Sequence, residues 1–187
     1  MEKLKQKILE KQRVVSDGIL NVTDFVNHQI DVSLMREAAR EFSGLFAGKG
    51  ITKIMTAEGA GVAIAAMTAE ELGVPMLFAK KMKKGTAGDS AYHVQVTDAG
   101  EYELGVMKEY LSEDDAVLLL DDCLANGDTI EALWQLAKEA GACVVGAGIM
   151  IEKAFQDGGK RLRENGLLVE SLVRISAMSR EQGVSFC

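Results

Sequence analysis

Stretches that look like strands and stretches that look like helices alternate along most of the chain. Apolar runs typical of buried strands occupy residues 51–56, 74–79, 117–120, 143–151 and 169–175. Apolar positions at helical spacing fall before or between them, at residues 4–12, 33–47, 63–72 and 130–141. Repeated strand–helix units favour an α/β fold, with a mostly parallel central sheet flanked by helices.

Residues 117–129 carry the clearest chemical signal, and their sequence is VLLLDDCLANGDT. A buried strand runs into two adjacent carboxylates, Asp121 and Asp122, and then into a loop of small residues that precedes a helix. Because strand side chains alternate, we expect only one of the two carboxylates to point into any given cleft. The helix start offers free N–H groups to an anion, and Gly127 lets the backbone approach it closely. Such a site suits a ligand with hydroxyl groups and phosphate, for example a ribose phosphate.

A second strand, loop of small residues and helix spans residues 51–72, and its loop offers another anion site. The loop residues are Glu58, Gly59, Ala60 and Gly61. A basic run, KKMKK at residues 80–84, follows the next predicted strand and favours an anionic ligand or partner. For both features the alternatives stay open: an ordinary βα turn for the loop, and a solvated surface run for the lysines.

Composition narrows the classes of function. The formal net charge is −7 and the isoelectric point is about 5.0, which disfavours a general nucleic-acid binder. We find no apolar run that approaches a membrane span, and the charged N-terminus is unlike a signal peptide. Three cysteines without metal-ligand spacing are typical of reduced thiols in a cytoplasmic protein. Without a linker or repeat, residues 1–187 are expected to form a single domain.

The stretch 117–129 resembles the phosphoribosyl-diphosphate (PRPP) signature of the phosphoribosyltransferases. The resemblance implies that Asp121 and Asp122 are catalytic and face the ribose hydroxyls, while the loop holds the 5-phosphate. The implied PRPP-binding residues are Ala125, Asn126, Gly127, Asp128 and Thr129. It also implies the type I fold of that family, with a small N-terminal hood from residues 1–31 and a flexible flap at residues 85–103.

By the same resemblance, the loop at residues 58–61 grips the pyrophosphate of PRPP. Mg²⁺ is expected to enter with PRPP and to bridge its pyrophosphate and ribose oxygens, and we assign it no direct protein ligand. Asp128 departs from the family pattern, because a carboxylate beside a phosphate is repulsive. We expect Asp128 to point outward as the N-cap of the helix and to leave its backbone N–H to the ligand.

The segment 14–31 resembles the xanthine branch of this family, which implies base contacts from Leu20, Asn27 and Lys153. An aliphatic side chain packs on a purine face, and an amide offers both a donor and an acceptor to its edge. An ammonium at the end of a buried strand favours a 6-oxo purine. From the residues alone, Leu20 as core, Asn27 as a turn residue and Lys153 as a partner of Glu152 or of solvent stay open.

The implied reaction transfers the 5-phosphoribosyl group of PRPP to N9 of xanthine, giving xanthosine 5′-monophosphate (XMP) and pyrophosphate in purine salvage. The nearer alternative is guanine or hypoxanthine as the main base. A 2-oxo group and a 2-amino group differ in the polarity of one hydrogen bond, and one loop is enough to reverse the preference. A purine-responsive regulator that keeps the fold without catalysis is the other alternative. The resemblance implies a homodimer with the small-molecule partners xanthine and PRPP.

Overall fold

The computed structural model describes residues 1–10, 14–16, 18–83, 89–96 and 102–187. In these ranges the α-helices are α1 (Glu2–Leu9), α2 (Val32–Leu45), α3 (Gly61–Leu72), α4 (Asp128–Glu139) and α5 (Gly158–Glu164). The strands are β1 (Val14–Ser16), β2 (Ile19–Leu20), β3 (Lys53–Ala57), β4 (Met76–Met82), β5 (Ala91–Val96), β6 (Tyr102–Met107), β7 (Ala116–Leu124), β8 (Cys143–Lys153), β9 (Val169–Ser179) and β10 (Gly183–Phe186). Short turns of π- and 3₁₀-helix cover Thr23–Asn27 and Lys108–Tyr110.

The central sheet has the strand order β10-β9-β8-β7-β3-β4-β6-β5. From β9 to β4 in this order, every neighbouring pair is parallel. The pairs β9–β10, β4–β6 and β5–β6 are antiparallel and lie toward the two edges. The prediction of a mostly parallel sheet is therefore confirmed.

Apolar side chains cover both faces of the sheet, as expected for strands buried between helices. On one face Leu119 of β7 lies in a cluster with Leu133 and other buried side chains of α4. On the opposite face Leu118 and Leu120 lie in a cluster with Phe42 and other residues of α1, α2 and α3. Because its side chains alternate between the two faces, β7 packs against helices on both sides of the sheet. Within the described ranges, no helix is long and apolar enough to cross a membrane.

The N-terminal segment lies against the C-terminal strands. The Met1 amine donates to the Leu172 carbonyl oxygen at 3.0 Å, and Arg180 Nε donates to the Val15 carbonyl oxygen. β1 and β2 form a small antiparallel hairpin apart from the main sheet. This arrangement brings the hairpin turn at Gly18 to the end of β8, where Lys153 Nζ donates to the Gly18 carbonyl oxygen at 2.8 Å.

Strand β4 extends three residues beyond the end predicted from the apolar run at 74–79. Lys80–Met82 pair antiparallel with Glu103–Gly105 of β6, so a sheet partner lengthens the strand beyond its apolar part. The predicted flap at residues 85–103 falls partly outside the described residues, at 85–88 and 97–101. Its described part forms β5 and the beginning of β6.

Glu152 of β8 carries a charge inside the structure, since the residue is 2% exposed. Its carboxylate accepts hydrogen bonds from both Nη atoms of Arg163 at 2.8 Å. It also accepts from Ser171 Oγ at 2.6 Å and from Arg174 Nε at 3.1 Å. Burial alone would raise the pKa of Glu152, but these hydrogen bonds and the two arginine charges lower it overall. The cluster joins β8, α5 and β9 next to Lys153.

We expect Glu152→Gln to lower the free energy of unfolding by about 2 kcal/mol near neutral pH, because two partly exposed guanidinium groups lose their carboxylate. The folded-state pKa lies below the ordinary value of 4.5, so the carboxylate stabilises the fold above that value. The contribution is lost as the pH falls through the folded-state pKa. Urea denaturation of both proteins across this range measures the difference, which should shrink on acidification.

The matched control is Glu164→Gln, since Glu164 is 66% exposed in its side chain and lies 3.9 Å from Lys160 Nζ. We expect this surface change to alter the free energy of unfolding by less than about 0.5 kcal/mol. A Glu152→Gln variant as stable as the unchanged chain near neutral pH would contradict the stabilising role of the cluster.

Candidate active site

The strand order reverses between β3 and β7, because β4 follows β3 on one side while β7, β8 and β9 extend on the other. In open α/β sheets, ligands bind outside the carboxyl ends of the strands at such a reversal. β3 ends at Ala57, immediately before the loop at residues 58–61. Asp121 and Asp122 lie toward the carboxyl end of β7. Two groups of residues singled out from the sequence are therefore side by side.

Gly61 permits the close approach of these two groups. A Cβ atom at Gly61 would lie 2.8 Å from Asp121 Oδ1 and 2.6 Å from Thr56 Oγ1, so a larger residue would displace one of them. The first turn of α3 consequently rests directly on the ends of β3 and β7. Thr56 Oγ1 is buried, and it has no hydrogen-bond partner among the residues that the structure describes. A free hydroxyl thus lies close to Asp121.

Glu58, the first residue of the loop at residues 58–61, is hydrogen-bonded to β4. Its N–H donates to the Ala79 carbonyl oxygen at 2.8 Å, and its carboxylate accepts from Lys81 N at 3.0 Å. Its negative charge is thereby held by the neighbouring strand, and residues 59–61 are left to supply backbone donors. Because α3 begins at Gly61, its first N–H groups have no partner within the helix. This loop can accordingly bind an anion through its backbone.

Asp121 and Asp122 differ in burial but interact with each other. Asp121 is 9% exposed and Asp122 is half-buried, as expected for alternating strand side chains. Asp121 Oδ1 accepts a hydrogen bond from Asp122 N at 2.9 Å. Burial and the charge of Asp122 raise the pKa of Asp121 well above its usual value, while the charge of Lys81 lowers it in part. Burial also raises the pKa of Asp122, against a lowering effect of Asp121 and Lys153.

The loop at residues 125–129, which we call the phosphate loop after the ligand predicted from the sequence, joins β7 to α4 at the same edge of the sheet. Gly127 has φ 89° and is the N-cap of α4, and a left-handed backbone of this kind favours glycine. The prediction that Asp128 is the N-cap is therefore wrong. Asp128 is the first residue of the helix, and its Oδ1 lies 3.2 Å from Arg161 Nη2. Its carboxylate pairs with an arginine of another helix and does not cap the N-terminus of α4.

Two residues of α5 that contact the phosphate loop, Gly158 and Arg161, are missed by the sequence analysis. A Cβ atom at Gly158 would lie 2.2 Å from the Ala125 carbonyl oxygen, so the two backbones pack without an intervening side chain. Arg161 Nη2 donates to the Asn126 carbonyl oxygen at 2.8 Å. The Gly-Gly pair at 158–159 is the one local sign of this packing, because glycine permits a close backbone approach.

The predicted base-contacting residues come from separate parts of the chain. Lys153 ends β8 and is bonded to Gly18, so it lies beside the hairpin that contains Leu20. Its ammonium does not pair with Glu152, which is held by arginines instead. Leu20 is half-buried and packs against the apolar cluster under the hairpin. Asn27 ends the π-helical turn with an exposed side chain, and no hydrogen bond within the described residues joins it to Lys153 or Leu20.

Comparison with known proteins agrees with this geometry. Residues 21–165 match the family model described as a phosphoribosyl transferase domain. The chain is 48% identical over 182 residues to the xanthine phosphoribosyltransferase of Oceanobacillus iheyensis, covering 96% of the chain and 94% of that relative. It is 47% identical over 181 residues to the xanthine phosphoribosyltransferase of Bacillus cytotoxicus, covering 95% of the chain and 92% of that relative.

Among solved structures, an adenine phosphoribosyltransferase from Rhodothermus marinus is similar, with a TM-score of 0.75 and 28% sequence identity. The match covers 92% of this chain and 97% of that one. Sequence identity near one half over almost the whole chain, together with the domain match and the shared architecture, leads to one assignment. The chain belongs to the phosphoribosyl transferase family and has the type I fold predicted from its sequence.

Proposed function

We propose that this chain transfers the 5-phosphoribosyl group of PRPP to N9 of xanthine, giving XMP and pyrophosphate. One observation carries the proposal. The acid pair Asp121 and Asp122 lies at the same edge of the sheet as two loops, residues 58–61 and 125–129, and each loop leads into a helix. The names of the relatives from O. iheyensis and B. cytotoxicus support xanthine as the base. The activity is that of a pentosyltransferase.

PRPP has three parts, and each has a counterpart in this arrangement. The 5-phosphate binds the N–H groups of the phosphate loop at the start of α4, where the helix dipole favours negative charge. The pyrophosphate binds the loop at residues 58–61 at the start of α3, by the same physics. The ribose then lies over Asp121 and Asp122, whose oxygens accept hydrogen bonds from its hydroxyl groups. Buried carboxylates make strong acceptors, since water competes less for them.

The reaction breaks the bond from ribose C1 to the pyrophosphate oxygen, which leaves with the electron pair, and forms the bond from C1 to purine N9. The proton that N9 loses is taken up by the released pyrophosphate or by solvent. Positive charge develops on the ribose as pyrophosphate leaves, and a nearby ionised carboxylate stabilises it. The two loops fix the leaving group and the 5-phosphate, so that the base meets C1 in line. Within the described part of the chain, the contribution of the protein is therefore positioning and charge rather than covalent catalysis.

Mg²⁺ fits this site as an ion that arrives with PRPP. No group of three or more His, Cys, Asp or Glu side chains in the described ranges is placed to hold a metal ion. Mg²⁺ in phosphate chemistry commonly keeps several waters and takes oxygens of the substrate, so PRPP itself would supply ligands and we assign the ion no direct protein ligand. When bound, the ion offsets the charge of the pyrophosphate.

Base recognition rests on Leu20, Asn27 and Lys153. Lys153 donates to the 6-oxo group of the purine, and adenine has no oxygen at that place. Its ammonium donates to the Gly18 carbonyl oxygen at 2.8 Å and has further N–H groups, which supports a second carbonyl acceptor at this place. Leu20 packs on the purine face, and the exposed amide of Asn27 is available to the purine edge.

The proposal extends to the organisation of the protein. Residues 1–187 act as one domain, to which residues 1–31 contribute the hood. The flap expected at residues 85–103 lies partly outside the described residues, and its role is to exclude water from the ribosyl cation. The protein works as a cytoplasmic homodimer on small molecules, without nucleic-acid or membrane partners. The net charge of −7 supports the proposal that the protein has no nucleic-acid partner.

The first test follows nucleotide formation from PRPP and Mg²⁺ with xanthine, guanine, hypoxanthine and adenine in parallel. We expect the highest kcat/KM on xanthine and very little product from adenine, whose 6-amino group offers no acceptor to Lys153. A preference for guanine or hypoxanthine would refute xanthine as the substrate and keep the chemistry. PRPP binding without turnover of any base would favour a regulator.

Two kinds of variant separate chemistry from base recognition. We expect Asp122→Asn to lower kcat at least about 100-fold, because charge stabilisation of the transition state is lost. Lys153→Ala and Asn27→Ala should instead raise KM for xanthine about tenfold and leave KM for PRPP nearly unchanged. Lys160→Ala, an exposed change on α5, is the matched control and should keep all three constants. A Lys153→Ala variant with unchanged KM for xanthine would contradict the base contact.

The raised pKa values predict an acid limit on activity. The ribosyl cation needs ionised carboxylates, and the pKa of Asp121 lies well above 3.8 because of burial and the neighbouring Asp122 charge. We therefore expect kcat/KM for PRPP to fall on acidification at a pH well above that value. In Asp122→Asn the pKa of Asp121 should move down, because a like charge is removed. Carboxyl ¹³C NMR of Asp121 measures this shift, and a pKa that stays constant would contradict the coupling.

A further inference from the structure

We propose that Arg161 is a positioning residue for the phosphate loop. It holds the loop backbone so that the Gly127 N–H faces the 5-phosphate, and it offsets the acidic charge at the same place. The inference rests on the proposed function for the identity of the ligand, a ribose phosphate. It concerns a side chain on α5, which is separate in sequence from the loop that it holds.

The phosphate loop and α5 are packed backbone to backbone. A Cβ atom at Gly158 would lie 2.4 Å from the Asn126 carbonyl carbon. A Cβ atom at Gly127 would lie 3.2 Å from Gly158 Cα and 3.3 Å from Leu162 Cδ1. Because the backbone of Gly158 touches the loop directly, a group on α5 can set the orientation of the peptide units of the loop.

Arg161 supplies that group through two nitrogen atoms. Nη2 donates to the Asn126 carbonyl oxygen at 2.8 Å and to Asp128 Oδ1 at 3.2 Å, while Nη1 donates to Glu131 Oε2 at 2.6 Å. In a trans peptide the C=O and the following N–H point in opposite directions. The bond to the Asn126 carbonyl therefore directs the Gly127 N–H away from the Arg161 guanidinium.

The same side chain balances charge at the start of α4. Asp128 and Glu131 both lie in the first turn of this helix, where acids suit the helix dipole. Two carboxylates there also repel a phosphate at the helix N-terminus. Arg161 pairs with both of them, and its planar fork suits several acceptors at fixed angles. The arginine thus lets an acidic helix start bind an anion.

The test measures direct binding by calorimetry, with ribose 5-phosphate and with Mg²⁺-pyrophosphate as separate probes. We expect Arg161→Ala to weaken ribose 5-phosphate about tenfold and to change pyrophosphate binding by less than about twofold. Arg161→Lys should fall between, because a lysine keeps the charge and loses the fork. Lys160→Ala, the neighbouring cation paired with Glu164, is the control and should bind both probes as the unchanged chain does.

Charge compensation is tested by a second change in the same background. Arg161→Ala with Asp128→Asn should recover about threefold of the lost ribose 5-phosphate affinity, because one unpaired carboxylate is removed. Absence of recovery overturns charge compensation. Unchanged ribose 5-phosphate affinity in Arg161→Ala, or equal weakening of both probes, overturns the positioning role. These binding constants need no catalysis, so they are distinguishable from a failure of xanthine turnover.

Discussion

The parallel pairing of β3 with β7 is the constraint on which the site depends. Because the strand order reverses between them, the loops that leave both strands open on the same edge of the sheet. Each loop leads into a helix, so two positive helix ends lie at one place, the carboxyl edge of the sheet. The acid pair of β7 lies at that place, and Gly61 lets α3 approach Asp121 closely. Backbone N–H groups that can bind an anion thus lie beside two carboxylates. The carboxylates do not occupy these N–H groups, because the carboxylates belong to the strand and the N–H groups to the loops.

Local patterns predicted the parts of this arrangement that are contiguous in sequence. A strand, a small-residue loop and a helix follow one another at residues 51–72 and again at 117–141, so the order of residue types alone predicts both anion loops and the acid pair. The parallel sheet follows from the same alternation. The extension of β4 through Met82 was not predictable, because it depends on pairing with β6. Apolar character marks where a strand is buried, whereas hydrogen-bond partners decide where it ends.

Asp128 shows how a distant residue overrides a local preference. Aspartate is a favoured N-cap, and the sequence offers it at a suitable position. The backbone needs a left-handed residue at the turn, and Gly127 takes that conformation and becomes the N-cap instead. Asp128 is thereby shifted into the first turn, where Arg161 binds it. Sequence spacing does not show that α5 lies on this loop, so the arginine and its role follow from tertiary structure.

The charge of the whole chain and the charge of the site act over different distances. A net charge of −7 repels anions at long range, but salt screens such repulsion beyond about 10 Å at moderate ionic strength. Close to the acid pair, helix N–H groups and the charges of Lys81 and Lys153 act on the local potential, since these lysines lower the pKa of Asp121 and Asp122 in part. Glu58, Asp128 and Glu131 are each held by a donor on a neighbouring element. An acidic composition therefore argues against extended polyanions such as nucleic acid, and it leaves a small phosphorylated ligand fully compatible with this site.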